Sequence, residues 1–171
     1  EIIDATGDGS GNTLDGALDV AVDGSDNVYV SCRISDNAFK ITPGGAITEI
    51  IDASGDGAGN TLDDTRGIST DGFGNVYVVG YDSNNAFQIM SDGTISKIID
   101  ATGDGAGNPL TNPNGIALDA SDNVYIVGVN SDNAFKIGGL PVPIELAYFK
   151  AKRSEESVLL SWLTLTETIN E

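Results

Sequence analysis

The chain has 171 residues, 40% of them apolar, with 26 acidic side chains, 8 basic ones and a net charge of −18. That length allows one sizeable domain plus an appendage, and the apolar share allows a core. The acidic excess argues against nucleic acid and anionic lipid as partners; it favours cations and solubility, as on a secreted or marine-type surface.

Other absences narrow the chemistry. With no histidine, the commonest general base and transition-metal ligand are gone. One cysteine, Cys32, allows neither an internal disulfide nor a cysteine zinc site. No apolar run approaches the ~20 residues of a membrane span, so no membrane insertion is expected, and no leader pattern is visible.

In chain order, the sequence opens on a glycine-rich acidic phrase, EIIDATGDGSGN, which returns as EIIDASGDGAGN from Glu49 and KIIDATGDGAGN from Lys97. The period is 48 residues without gaps: 1–48 aligns with 49–96, and the third copy stays in register over 97–137. After the opening loop come LDVAVD (18–23), NVYV (27–30) and NAFK (37–40). The second copy gives RGISTD (66–71), NVYV (75–78), NAFQ (85–88), then the turn MSDG (90–93) into TISKIID (94–100). The third gives NGIALD (114–119), NVYIVG (123–128) and AFKI (134–137), separated by ASDN and NSDN.

These runs predict four short strands per unit, divided by Asp/Asn/Gly/Ser turns about 8–12 residues apart. No helical period is sustained. Four antiparallel strands per ~40–50 residues is the size of a β-propeller blade, and gapless repetition implies one unit stacked three times. A β-solenoid is the competitor, with shorter turns and parallel strands; the tight turns here suit antiparallel meanders.

NPNGIALDASDNVYIVGVNSDNAFKI in the third copy resembles the NHL repeat, with Pro-x-Gly-Ile-Ala, Asp, Asn-Val-Tyr-Val and an Asn ahead of the third strand. The second copy matches more loosely and the first least at its start. The resemblance covers about 1–137 and implies blades of a six-bladed propeller, so three copies are half a ring. It places EIID at the end of an outermost strand, and the phrase after it crosses to the innermost strand of the next blade. The chain starts inside a repeat, as a fragment or mature segment would. Two open blade faces lead us to expect further N-terminal blades or self-association through exposed blade edges.

The repeated phrase also has the spacing of a cation loop. Counting Asp4 as position one, oxygen-bearing side chains fall at Asp4, Thr6, Asp8, Asn12 and Asp15, with Gly9 at position six. The second copy supplies Asp52, Ser54, Asp56, Asn60 and Asp63; the third supplies Asp100, Thr102, Asp104 and Asn108, with Thr111 at position twelve. This is similar to the calcium loop of an EF-hand, in which alternate positions turn oxygens inward around a glycine bend. Position twelve lacks the bidentate Glu, position three is a hydroxyl, and no helices flank the loop. Such sites would bind Ca²⁺ weakly, on the order of 10⁻⁴–10⁻³ M. The alternative is turn chemistry alone, because Asp, Asn and Gly are the ordinary residues of loops with positive φ. A phosphate cradle is excluded: no helix start follows, no lysine stands nearby, and an Asp sits where the anion would bind.

Tyr29, Tyr77 and Tyr125 recur at one position, and Phe39, Phe87 and Phe135 at another; stacked repeats bury equivalent positions, so both sets are expected in a blade-to-blade core. Asn37, Asn85 and Asn133, with Asp23, Asp71 and Asp119, are expected to hold turns through side-chain to backbone hydrogen bonds. Cys32 falls where the other copies have Gly80 and Gly128, a small-residue position and not a nucleophile.

Propellers of related shape include lactonases and lyases that hold a metal at the central channel. Such sites need channel-facing groups contributed unequally by different blades. The inner strands here offer Arg66 and Asn114, but no His or Glu. The expected role is therefore a non-catalytic scaffold that binds or displays protein or glycan. A metal-dependent hydrolase or lyase, with its active residues in further blades, is the alternative, and a structural adhesin repeat is a third.

Composition changes at GGLPVP (138–143), which reads as a linker. IELAYFKAK and SVLLSWL then alternate as the strands of a hairpin with RSEES as its turn, and Trp162 is placed to fill a small sandwich core. LPVPIELAYFKAK and SVLLSWLTLTETIN resemble the start of the fibronectin-III-like module found in large bacterial proteins exported by type IX secretion. This resemblance implies a secreted or cell-surface location and a module that continues past residue 171. The expected fold class is all-β: a partial propeller of three four-stranded blades and a truncated Ig-like hairpin.

Overall fold

In a computed structural model of the chain, residues 1–138 are described in full and residues 146–153 and 158–164 by their backbone. Every regular element among them is a β-strand. Two compact units result, Glu1–Leu140 and Pro141–Glu171.

The first unit contains three antiparallel sheets. β1 (Ala17–Val22), β2 (Val28–Cys32), β3 (Asn37–Ile41) and β4 (Ile47–Ile51) form blade 1 in chain order. β5 (Thr65–Thr70), β6 (Val76–Gly80), β7 (Asn85–Ile89) and β8 (Ile95–Ile99) repeat that order as blade 2. β9 (Pro113–Leu118), β10 (Val124–Gly128) and β11 (Asn133–Ile137) form blade 3. The expected fourth strand of blade 3 is not among the described residues, because from Gly138 the sequence leaves the repeat and has no counterpart of ITEII or ISKII. Sequence unit and blade are also offset: the 48/49 junction falls inside β4.

The β-branched and aromatic runs form strands because their period of two gives each sheet two apolar faces. On β6, Val76 and Val78 face one way and Tyr77 and Val79 the other, and all four are buried. The first pair shares a core with Tyr29, Ala38 and Ile51 of blade 1. The second pair shares one with Leu110, Val124 and Ile126 on the blade 3 side. Blade 2 is thus sandwiched, and Tyr77 and Phe87, at 1% and 0% exposure, are the aromatic core that the repeat predicts. Burying each such ring is worth about 1.5–3 kcal/mol.

Turns use left-handed backbone where Asp, Asn or Gly tolerates it. Asp26, Gly74 and Asp122 have φ of 61°, 81° and 57°, and Asp36, Asn84 and Asp132 have φ of 54°, 54° and 50°. Each inner strand pairs its neighbour with a register shift: between Ala17 and Asp19, between Thr65 and Ile68, and opposite Val127/Gly128. Leu18, Arg66 and Asn114 stand at these irregularities, and a bulge re-aims the side chain it carries.

In the second unit, β12 (Leu146–Arg153) pairs antiparallel with β13 (Val158–Thr164), as the two tail strands are expected to, while the expected turn falls on residues 154–157, outside the described residues. The side chain of Trp162 and residues 139–145 and 165–171 lie outside the described residues, and with them the expected linker and sandwich core.

Candidate functional site

The three crossing loops carry the candidate metal residues. Asp4 accepts the Thr6 N–H at 2.8 Å and the Thr6 hydroxyl at 2.6 Å. Asp8 accepts the Ser10 N–H at 2.8 Å through one carboxylate oxygen and the Asn12 amide at 2.8 Å through the other. The later copies repeat this: Asp52 takes Ser54, Asp56 takes the Ala58 N–H and the Asn60 amide, Asp100 takes Thr102, and Asp104 takes the Ala106 N–H and the Asn108 amide. The Thr6 hydroxyl and N–H hold Asp4 below the ordinary carboxyl range, and the Ser10 N–H and Asn12 amide do the same for Asp8. Lys97, 2.8 Å away, lowers Asp100 most of all.

At position twelve it is the backbone that is tied down. The N–H groups of Asp15, Asp63 and Thr111 donate to Ser35, Ser83 and Ser131 at 3.1–3.2 Å. Each serine in turn donates to Asn37, Asn85 or Asn133, and each asparagine amide donates to the loop carbonyl of Thr13, Thr61 or Pro109. The recurrent asparagines therefore staple the crossing loop to the third strand, a longer reach than the local turn that their position suggests. Asp8 and Asn12 and their counterparts are brought together by a side-chain hydrogen bond, while Asp4, Asp52 and Asp100 close separate Asx turns with Thr6, Ser54 and Thr102. Among the described residues no three His, Cys, Asp or Glu side chains are grouped to hold a metal ion.

The glycines fix the path. Gly7, Gly55 and Gly103 have φ near +64°, and a Cβ there would fall within 2 Å of the carbonyl oxygen of Asn12, Asn60 or Asn108 and about 3 Å from Phe39, Phe87 or Phe135. The phrase thus lies over its blade's phenylalanine, with its side-chain oxygens in local turns.

A second set of carboxylates behaves as the sequence predicts. Asp71 accepts the N–H groups of Phe73 and Asn75 at 2.9 Å, the Asn75 amide at 2.7 Å and the Tyr77 hydroxyl at 2.9 Å. Asp23 and Asp119 make the same four contacts with Ser25, Asn27 and Tyr29 and with Ser121, Asn123 and Tyr125. Cys32 is fully buried, which pushes its thiol up to about 11 and removes it as a nucleophile.

One cluster breaks the repeat. The Arg66 guanidinium lies 3.3 Å from the centroid of the Tyr81 ring, pairs with Asp64 at 2.7 Å and donates to Asn114 at 3.0 Å. The Asp64 N–H donates to Asp36 at 2.8 Å, and Arg33 stands 3.8 Å from the second Asp64 oxygen. Burial raises the Asp36 carboxyl, and nearby Asp63, Asp64 and Asp82 add to the effect. Sequence reasoning finds Arg66 and Asn114 but misses Asp64 and Tyr81. The available signal was disagreement between copies: Leu18/Arg66/Asn114, Gly16/Asp64/Asn112 and Arg33/Tyr81/Val129 are among the divergent positions. Chemically the cluster is a neutralised clamp across β5 and β9. Gly67 permits that closeness, since its Cβ would lie 2.9 Å from the Asn114 carbonyl oxygen.

Residues 56–86 match a family described as a β-propeller repeat, SBBP. The sequence has no match among curated proteins. Solved structures of similar fold include a virginiamycin B lyase from Staphylococcus aureus with quinupristin, at 12% identity and TM-score 0.52, covering 90% of this chain and 50% of that one. A gluconolactonase from Xanthomonas campestris has 14% identity and TM-score 0.52, covering 91% of this chain and 60% of that one. A structural-genomics protein of unknown function from Bacteroides thetaiotaomicron has 20% identity and TM-score 0.51, covering 65% and 32%. The chain therefore spans about half the length of the lyase, and at these identities the likeness concerns the fold. Repeat, sheet order and these likenesses together identify the three sheets between Ala17 and Ile137 as blades of a β-propeller.

Proposed function

We propose that the chain is a non-catalytic binding or display scaffold for protein or glycan, secreted or held at a cell surface, with crossing loops that take up calcium weakly. In this reading residues 1–137 are NHL-like blades, 138–143 a linker and 144–171 the start of a fibronectin-III-like module. The observation that carries it is the engagement of the repeated polar groups in the fold's own hydrogen bonds. Asp71 satisfies four donors, and Arg66 is neutralised by Asp64. No histidine is present to serve as general base. Asp4, Asp8, Asp56 and Asp104 support the calcium part, since the turn donors that hold their carboxyls below the ordinary range keep negative charge on these loops.

A hydrolase or lyase whose active residues lie in further blades is the second reading, favoured by the fold likeness to a lyase and a gluconolactonase. Incubating a longer form of the protein that carries further blades with quinupristin or with gluconolactone separates the two: turnover overturns the scaffold reading, and none supports it. The calcium part is tested by thermal melts with millimolar Ca²⁺, with Mg²⁺ and with chelator. At tenfold excess over Kd the native state gains about 1.4 kcal/mol, a rise of a few degrees that the combined variant Asp8→Asn, Asp56→Asn and Asp104→Asn should abolish. An equal shift with magnesium, or no shift, leaves the loops as turns alone.

A further inference from the structure

One asparagine in the chain is followed by glycine: Asn114, in the NPNGIALD stretch that opens β9. The dipeptide allows a reaction that the other asparagines hinder. A backbone nitrogen can attack the side-chain carbonyl of the residue before it, and a side chain on the attacking residue crowds the approach. Asn75 and Asn123 precede valine, Asn60 precedes threonine, and Asn108 and Asn112 precede proline, which has no N–H. Several of these amides are also held: Asn75 by Asp71, Asn60 by Asp56 and Asn123 by Asp119.

The structure leaves Asn114 freer. Val127 stands opposite Gly115 and Gly128 opposite Pro113, so Asn114 is the extra residue of the bulge in β9. A bulged residue drops out of the ladder, so no ladder bond at Asn114 opposes the rotation that brings the Gly115 nitrogen to Cγ. The Asn114 side chain is exposed. Its counterpart Arg66, in a blade packed on both faces, keeps 22% of its side chain exposed, so water reaches this position between blades as well. Arg66 donates to the Asn114 Oδ1 at 3.0 Å, which draws electrons away from Cγ. Nδ2, the group that must leave, donates to nothing among the described residues.

We propose that Asn114 is a modification site: in the folded chain its amide is lost through attack by Gly115 and becomes a carboxylate that Arg66 captures. The Gly115 nitrogen gives its proton to solvent and bonds to Cγ, closing a succinimide ring. The Cγ–Nδ2 bond breaks, and Nδ2 takes up a proton and leaves as ammonia. Water, the one co-reactant, then opens the ring. Addition at Cγ restores the main chain and leaves aspartate at position 114; addition at the main-chain carbonyl routes the chain through Cγ as isoaspartate.

The two products act oppositely on the clamp. Aspartate sets a second carboxylate against Arg66, beside that of Asp64. Isoaspartate adds a main-chain carbon to β9 where β5 lies close against it, since a Cβ on Gly67 would meet the Asn114 carbonyl oxygen at 2.9 Å. One product tightens the joint between β5 and β9 and the other spoils its fit. This inference stands independently of the scaffold reading.

Incubation of the folded 171-residue chain in mildly alkaline buffer, followed by peptide mass measurement, tests the site. The expected result is conversion of amide to acid at Asn114 well ahead of every other asparagine. Gly115→Ala should slow it several-fold; the added Cβ meets the Val127 side chain alone, at 3.2 Å, so blade 3 keeps its fold. Capture is read from a double-mutant cycle in urea: Asn114→Asp should cost less stability beside Arg66 than in the Arg66→Gln background. An Asn114 that stays intact in the folded chain while the urea-unfolded chain converts overturns the proposal. So does faster conversion at another asparagine, a rate that Gly115→Ala leaves unchanged, or an Asn114→Asp cost that is the same with and without Arg66.

Discussion

Asp71 and Asp119 make the same four hydrogen bonds in different surroundings, which allows a clean comparison at the level of the single residue. Asp71 is 5% exposed and serves the fully buried Asn75 and the nearly buried Tyr77. Asp71→Ala leaves those donors unsatisfied inside the protein and should cost about 3 kcal/mol in urea denaturation. Asp119→Ala removes equivalent bonds at the open face, where water replaces them, and should cost distinctly less. Equal losses would show that the motif acts through turn geometry and not through burial. The motif was legible in the sequence because Asp, Asn and Tyr recur together at fixed spacing. Its unequal burial was not, since that depends on which blade has a neighbour.

The crossing loops pose the corresponding question for an element. Gly55 and Gly57 both have φ near +65° to +69°, but a Cβ on Gly55 would meet the Asn60 carbonyl oxygen at 1.9 Å, while one on Gly57 meets nothing within 4 Å. Gly57→Ala should therefore cost only the left-handed backbone penalty, about 1 kcal/mol. Gly55→Ala adds a clash and should cost about 2–4 kcal/mol, read from denaturation midpoints. Loss of the same size at both sites would overturn this account of the loop. Strands and turns were readable because β-branched alternation and Asp/Asn/Gly punctuation act locally. The loop's chemistry was less so. An Asx turn pairs an acceptor at one residue with a donor two residues on, the same alternate spacing that a cation loop uses, so Asp4, Thr6 and Asp8 satisfy either pattern. The Arg66 clamp was out of reach, because Asp64, Tyr81 and Asn114 meet it only once β9 lies beside β5.

For the whole molecule, acid should be the weak point. The Asn123 amide and neighbouring N–H groups hold Asp119 at about 2 against an ordinary 3.8. Asp4, Asp8, Asp56 and Asp104 are also lowered by their turn donors. Groups with lowered values stabilise the fold above the ordinary carboxyl range, and that contribution is lost as pH falls through the lowered values. Burial raises Glu49 and Asp36, whose contribution runs the other way and fades as pH rises. The first set is larger, so the melting temperature should fall between about pH 4 and 2; a Tm that climbs through that range would contradict it. The crossing from Ile51 to Thr65 recurs from Ile99 to Pro113, so the blades meet through one repeated joint. A unit that always presents the same joint can be added or removed without inventing a new one, so length becomes a free variable of the architecture.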